Sequence, residues 1–281
     1  MSRPGRTART ARAAVALALT GALTAVAACS GGSAPHAERS TSAPSRAPAP
    51  PSPPPRHACY DLDFAQAARP STTAAPVPCS TAHTTATIAV GTIRPVVDGH
   101  LLAVDSDTVQ QQVAQRCRDR LSRHLGGDAE TLRLSRLTVV WFTPSLADSD
   151  RGALWFRCDL VALAGHDQLA TLPRRTRDLL ATEGVLDRFG TCGTASPAAE
   201  GFTRVICSAR HTWRARATVA LPEKARYLGK AAGAAADSAC HDVDARLAAD
   251  VLRLKWSFEW PTREQWDAGQ RYGLCWTPDP A

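Results

Sequence analysis

Eight of the nine cysteines fall in two sets of four whose surroundings repeat. Cys79-Ser80-Thr81-Ala82-His83-Thr84 is matched by Cys207-Ser208-Ala209-Arg210-His211-Thr212, so each half carries C-S-x-x-H-T. Further along, Pro144, Gly152 and Cys158 stand at offsets 0, 8 and 14, as do Pro261, Gly269 and Cys275, with an aromatic at offset 11 in each (Trp155, Tyr272). Agreement at several spacings reads as a tandem duplication of one module stapled by disulfides.

Eight cysteines allow 105 pairings; pairing inside each half leaves nine, and halves that pair alike leave three. The sequence-local choice joins Cys59 to Cys79, Cys117 to Cys158, Cys192 to Cys207 and Cys240 to Cys275. Loops of these lengths would each contribute roughly 3–4 kcal/mol in the chain-entropy model, a large part of the ~5–15 kcal/mol typical of a domain. Cys and His four residues apart also suit zinc, but an exported chain favours disulfides and no C-x-x-C pair occurs. Neither a metal nor a cofactor is expected.

The N-terminus indicates export. Arg3, Arg6, Arg9 and Arg12 precede an Ala/Leu/Val stretch from Ala13 to about Leu23, then Val26-Ala27-Ala28 ahead of Cys29. The apolar stretch falls short of the ~20 residues a membrane-spanning helix needs and has the flanks of a signal peptide. Cys29 after small residues resembles the lipobox of bacterial lipoproteins, which makes its thiol the acylated anchor and membrane lipid its partner. Assigning it to lipid also leaves an even eight cysteines. Residues 1–28 are therefore the expected signal peptide, and 29–57 the anchor and a Pro/Ala/Ser-rich linker too polar to bury a core, stiffened by its proline run. The expected place is the outer face of the cytoplasmic membrane.

The formal charge of +7 is no nucleic-acid signature. The four leader arginines account for more than half of it, and the other basic residues are scattered. Arg174, Arg175 and Arg177 form one cluster, read as solvated.

The coarse pattern is α+β. Thr85–Val90 and Arg214–Leu221 read as strands. Val109, Val113, Cys117, Leu121 and Leu125 recur every fourth residue after a cap at Asp105-Ser106-Asp107. Leu228, Ala232, Ala236, Cys240, Val243, Leu247 and Val251 trace a similar stripe. Each helix thus holds its cysteine towards the core, where a bond to a strand clamps helix onto sheet. Strands at 137–143 and 153–163, and at 252–260 and 272–276, close the modules across loops of equal length. Each module reads as β-α-β-β, a helix packed on an antiparallel sheet: module 1 at 58–168, a helical connector at 169–190, module 2 at 191–281. Leu179, Leu180, Val185, Leu186 and Phe189 of the connector suit docking on either module.

The C-S-x-x-H corner after Val77-Pro78 and Val205-Ile206, the helical cysteine, and Pro261, Trp266, Gly269 and Cys275 resemble the septum-formation domain family of actinobacterial extracytoplasmic lipoproteins, in two tandem copies. Module 1 departs from the pattern with Ser149 in place of the tryptophan. Thr84, Thr85 and Ala86, and Thr212, Trp213 and Arg214, stand where family members often carry acidic residues. The resemblance implies a setting in the dividing-cell envelope, with envelope or division proteins as partners, and leaves the oligomeric state open.

His83 and His211 can either titrate near neutral pH at paired ligand sites or bond backbone carbonyls and fix the corners; duplication favours the structural role. Ser80 and Ser208 suit local turns; neither lies in a G-x-S-x-G elbow. Asp61-Leu62-Asp63 suits an extended segment and Asp148-Ser149-Asp150 a hairpin loop. No catalytic residue is identified. Trp256, Phe258 and Trp260 alternate as core residues do, whereas Trp266, placed in a loop, needs a partner. The expected function is a lipid-anchored, non-catalytic binding or scaffold protein of the envelope, linked to septum formation. The alternative is a small-solute-binding lipoprotein with its site between the modules, and a third reading is an envelope hydrolase. A scaffold needs no deep cleft between modules, a receptor needs a cavity lined by both, and a hydrolase needs converging His, Asp or Ser side chains.

Overall fold

The computed structural model describes residues 49–223, 226–227, 229–247, 250 and 252–279. The leader, Cys29 and most of the linker lie outside them, as do Leu228 and Val251 of the second apolar stripe.

Strand β1 (Cys59–Tyr60) leads into α1 (Phe64–Ala67), where Asp63 and Gln66 form a reciprocal capping box. Asp61-Leu62-Asp63 precedes the helix, and Asp63 at its end has extended backbone and caps α1. After β2 (Thr85–Thr92), the hairpin of β3 (Val96–Val97) and β4 (His100–Leu101) turns through Asp98 and Gly99, both at positive φ (49° and 81°), as its two-residue turn demands. Helix α2 (Asp107–Leu125) buries Val109, Val113, Cys117, Leu121 and Leu125 along one stripe. Helix α3 (Ala129–Leu134), capped by Asp128, precedes β5 (Leu137–Phe142). A helical turn, α4 (Leu146–Asp150), joins β5 to β6 (Trp155–Gly165), and β7 (Gln168–Leu169) pairs with the end of β6. The sheet order is β1-β2-β6-β5, all antiparallel. One face carries Cys158, Leu160 and Ala162 against α2, and the other packs Phe142 with Tyr60 and Leu62. Full burial of such side chains contributes ~1.5–3 kcal/mol each.

The connector is not one helix. Asp178 and Gly184 take left-handed conformations (φ 57° and 70°), leaving a 3-10 turn at Leu179–Ala181 and α5 (Val185–Phe189). Leu179, Leu180, Val185 and Phe189 join the first core, and Leu186 packs against both cores. The connector therefore docks on both halves.

Strands β8 (Thr191–Gly193), β9 (Arg204–Ile206) and β10 (Trp213–Ala220) precede α6 (Ala232–Leu247); then come β11 (Ser257–Glu259), α7 (Arg263–Asp267) and β12 (Tyr272–Pro278). The second sheet runs β11-β12-β10-β8-β9, again antiparallel. Helix α6 buries Ala236, Cys240 and Val243, whereas Leu247 at its end is exposed. Each half is thus larger than β-α-β-β: β1 and β7 extend the first sheet, and the β8–β9 hairpin forms an edge of the second. The strand expected at 252–260 shortens to β11.

The disulfides are Cys59–Cys79, Cys117–Cys158, Cys192–Cys207 and Cys240–Cys275. The second and fourth bind α2 to β6 and α6 to β12. The expected hairpin loops are instead the helical turns α4 and α7, each capped by the hydroxyl after the proline, Ser145 or Thr262. Each turn is followed by a glycine at positive φ, Gly152 (91°) or Gly269 (97°), which explains the repeated Pro and Gly spacing. Pairing shifts by a bulge between Thr87 and Ala89 in the first sheet and between Ala215 and Ala217 in the second.

The two sheets share one compact unit, residues 47–281. Ser135 pairs with Gly190, the Arg136 N–H donates to the Phe189 carbonyl, and Ile206 enters the first core. Glu130 accepts from the Thr218 N–H at 2.9 Å.

Candidate functional site

A half-open cleft of about 590 Å³ lies between the halves. Helix α2 contributes Arg118 and Leu121, α3 contributes Leu132 and Arg133, the β5 segment Arg136 to Val139 and Trp141, β9 Arg204, and β12 Tyr272 and Leu274. Four arginines and no carboxylate line it.

Arg136 is the unusual member. Its Nε donates to the Leu163 carbonyl at 3.0 Å, and among the described residues it forms no salt bridge. Burial, with neighbouring Arg204 adding to it and Glu259 opposing, holds its guanidinium down at about 10. Glu259 is already engaged: it pairs with Arg204 at 2.7 Å and accepts the Trp276 indole N–H at 3.1 Å. Arg133 stacks on the Tyr272 ring at 4.8 Å. Burial raises the Tyr272 hydroxyl, with Arg133 and Arg204 opposing. Partly desolvated guanidinium groups above apolar walls form a seat for an anion that also carries apolar surface.

The corner residues lie elsewhere; none lines this cleft. His83 is buried and donates from Nδ1 to the Thr81 carbonyl at 2.8 Å. His211 does the same to Ala209 at 2.7 Å. Ser80 and Ser208 are exposed. Cys192, His211 and Asp279 gather within 4.8 Å, yet this is no zinc seat. The Cys192 sulfur is bonded to Cys207 and cannot act as a thiolate. Asp279 is paired with Arg216 at 2.9 Å, Arg214 at 3.2 Å and His211 at 3.3 Å.

Trp266 is not a surface tryptophan. It lies in α7 with 6% exposure, edge-on to Tyr227, with Arg271 over its ring at 4.1 Å. Phe258 is buried, while Trp256 and Trp260 are half-buried against the second core. Arg174, Arg175 and Arg177 are exposed. Sequence reasoning missed Arg136 and Arg204, because they stand 68 positions apart and meet only in the folded chain. The one local signal was a cation directly before the apolar run Leu137–Phe142.

The septum-formation family model matches residues 58–275 as one span. The chain belongs to the septum-formation family. That span takes in both sheets and the cleft, so the family's unit includes the halves together. No curated protein and no solved structure matches the chain significantly. Membership relates this septum-formation protein to cell division, and its four disulfides indicate an extracytoplasmic setting. No helix among the described residues is long and apolar enough to cross a membrane.

Proposed function

We propose that this chain is a lipid-anchored, non-catalytic binding component of the bacterial cell envelope that acts in septum formation, with its binding site in the cleft between the sheets. The observation that carries the reading is the cleft itself, built from both halves around an arginine with no carboxylate partner among the described residues. A pure scaffold needs no such cavity, whereas a receptor does; its volume lies within the 300–1,000 Å³ of ordinary ligand sites. The histidines stand apart from this site: neither lines the cleft, and each is held at its own corner by a carbonyl. The lipobox-like Cys29 supports anchoring, and the matched glycines, caps and bulges support descent of the two halves from one duplicated module.

The test is the position of an exported fluorescent fusion in dividing cells. The native chain is expected at division sites, and Arg136→Gln, secreted and disulfide-bonded to the same level, is expected to spread around the envelope. Septal accumulation of that variant at the native level would remove the cleft from the function.

A further inference from the structure

One edge of the first sheet is open beside the cleft. In the order β1-β2-β6-β5, the last strand has a strand neighbour on one side only. The Leu163 N–H donates to the Arg136 carbonyl, and the register pairs Leu137 with Ala162 and Thr138 with Val161. Antiparallel alternation then turns the main-chain groups of Leu137, Val139, Trp141 and Thr143 away from β6. The outer two of these N–H groups are occupied: Leu137 donates to Ser135 Oγ at 3.3 Å and Thr143 to the Pro70 carbonyl at 2.9 Å. Between them, the outward groups of Val139 and Trp141 have no partner among the described residues.

The space beside them is shaped for an occupant. Leu137, Val139 and Trp141 project to one face of the sheet and Thr138 to the other, yet all four line the cleft. A cavity touching both faces lies at the strand's open side. A second hollow of about 310 Å³ is lined by Val140, Trp141 and Pro70. The unpaired ladder groups of an edge strand are a template for another strand.

We propose that β5 receives an extended acidic segment of a partner protein by strand addition. Its main chain pairs with Val139 and Trp141, and its carboxylates meet Arg136 and Arg133. Main-chain bonds supply affinity in this mode, and alternate side chains supply specificity. The charge selects the partner: Arg204 is held by Glu259 at 2.7 Å, but Arg118, Arg133 and Arg136 line the cleft with no salt-bridge partner among the described residues, so it repels a basic strand and accepts an acidic one. The proposal rests on the cleft reading above and gives it a ligand class.

The probe is a capped eight-residue peptide alternating glutamate and valine, titrated into the full-length chain in detergent micelles. Its twins replace glutamate by lysine or carry an N-methyl group on every residue. The acidic peptide is expected to slow amide exchange at Val139 and Trp141 by about tenfold or more. The lysine twin and Arg136→Gln are each expected to weaken binding by about tenfold, and the N-methylated twin to abolish it. No binding, binding of the N-methylated twin within about twofold, or unchanged exchange at Val139 and Trp141 in the complex would each overturn strand addition. Protection that rises with protein concentration alone would name a second copy of this chain as the occupant and overturn the acidic partner. If the peptide results fail while Arg136→Gln still loses the septum, only strand addition falls. If Arg136→Gln keeps the septum, the cleft reading falls with it.

Discussion

Arg157 and Asp159, next but one on β6, meet inside the first half at 2.9 Å, off the hydrogen-bonding direction. Arg157 lies between the rings of Tyr60 (3.9 Å) and Phe142 (4.5 Å), and Asp159 accepts the Thr87 hydroxyl at 2.8 Å. Both side chains are almost wholly buried. Burial pushes the Asp159 carboxyl up to about 6, although Arg157 and Thr87 pull the other way.

A carboxyl raised in the folded state binds its proton there before the unfolded chain does as pH falls. Its stabilising contribution is complete below about pH 4 and is lost as pH rises through about 6. The margin of the native chain over Asp159→Asn should therefore shrink by on the order of 2 kcal/mol between pH 4 and 6. Paired urea titrations across that window measure it; a margin that grows with pH contradicts the account.

The Cys117–Cys158 bond closes a longer loop than Cys192–Cys207, with separations of 41 and 15 residues. Replacing each pair by alanine should cost about 4 and about 3 kcal/mol respectively from chain entropy. Both pairs are buried, so packing is lost in each and loop length sets the difference. Thermal unfolding of the two variants should rank them in that order.

Gly269 has φ 97° with nothing within 4 Å of a built Cβ, so Gly269→Ala adds backbone strain without a clash. A loss of about 1–2 kcal/mol is expected. An unchanged melting temperature would show that the repeated glycine is kept for some other reason.

Trp266→Ala should cost about 3–5 kcal/mol, as truncating a buried aromatic does, with native export of the surviving fraction. Equal stability of variant and native chain, by chemical denaturation, would mean the indole serves a surface after all.

The elements that sequence made legible were those with local causes. The apolar stripe of α2 follows from a residue every fourth position, and the C-S-x-x-H spacing marked both corners. The connector deceived because its leucines suggest a helix while Asp178 and Gly184 adopt left-handed backbone that no periodicity reveals. Trp266 deceived because a loop of fixed length can hold a capped helical turn, which swings the indole inward. The cleft was the least legible. Arg136, Arg204 and Tyr272 meet only after both sheets form and pack, and nothing adjacent to them in sequence records that meeting.

The central claim is that the arginine cleft is where this chain binds. A photo-crosslinking amino acid placed at Thr138, inside the cleft, and separately at exposed Leu101, tests it most directly in dividing cells. The account expects one dominant adduct from position 138, absent from position 101 and lost when Arg136 is changed to Gln. The same pattern of adducts from both positions, insensitive to Arg136, would contradict it.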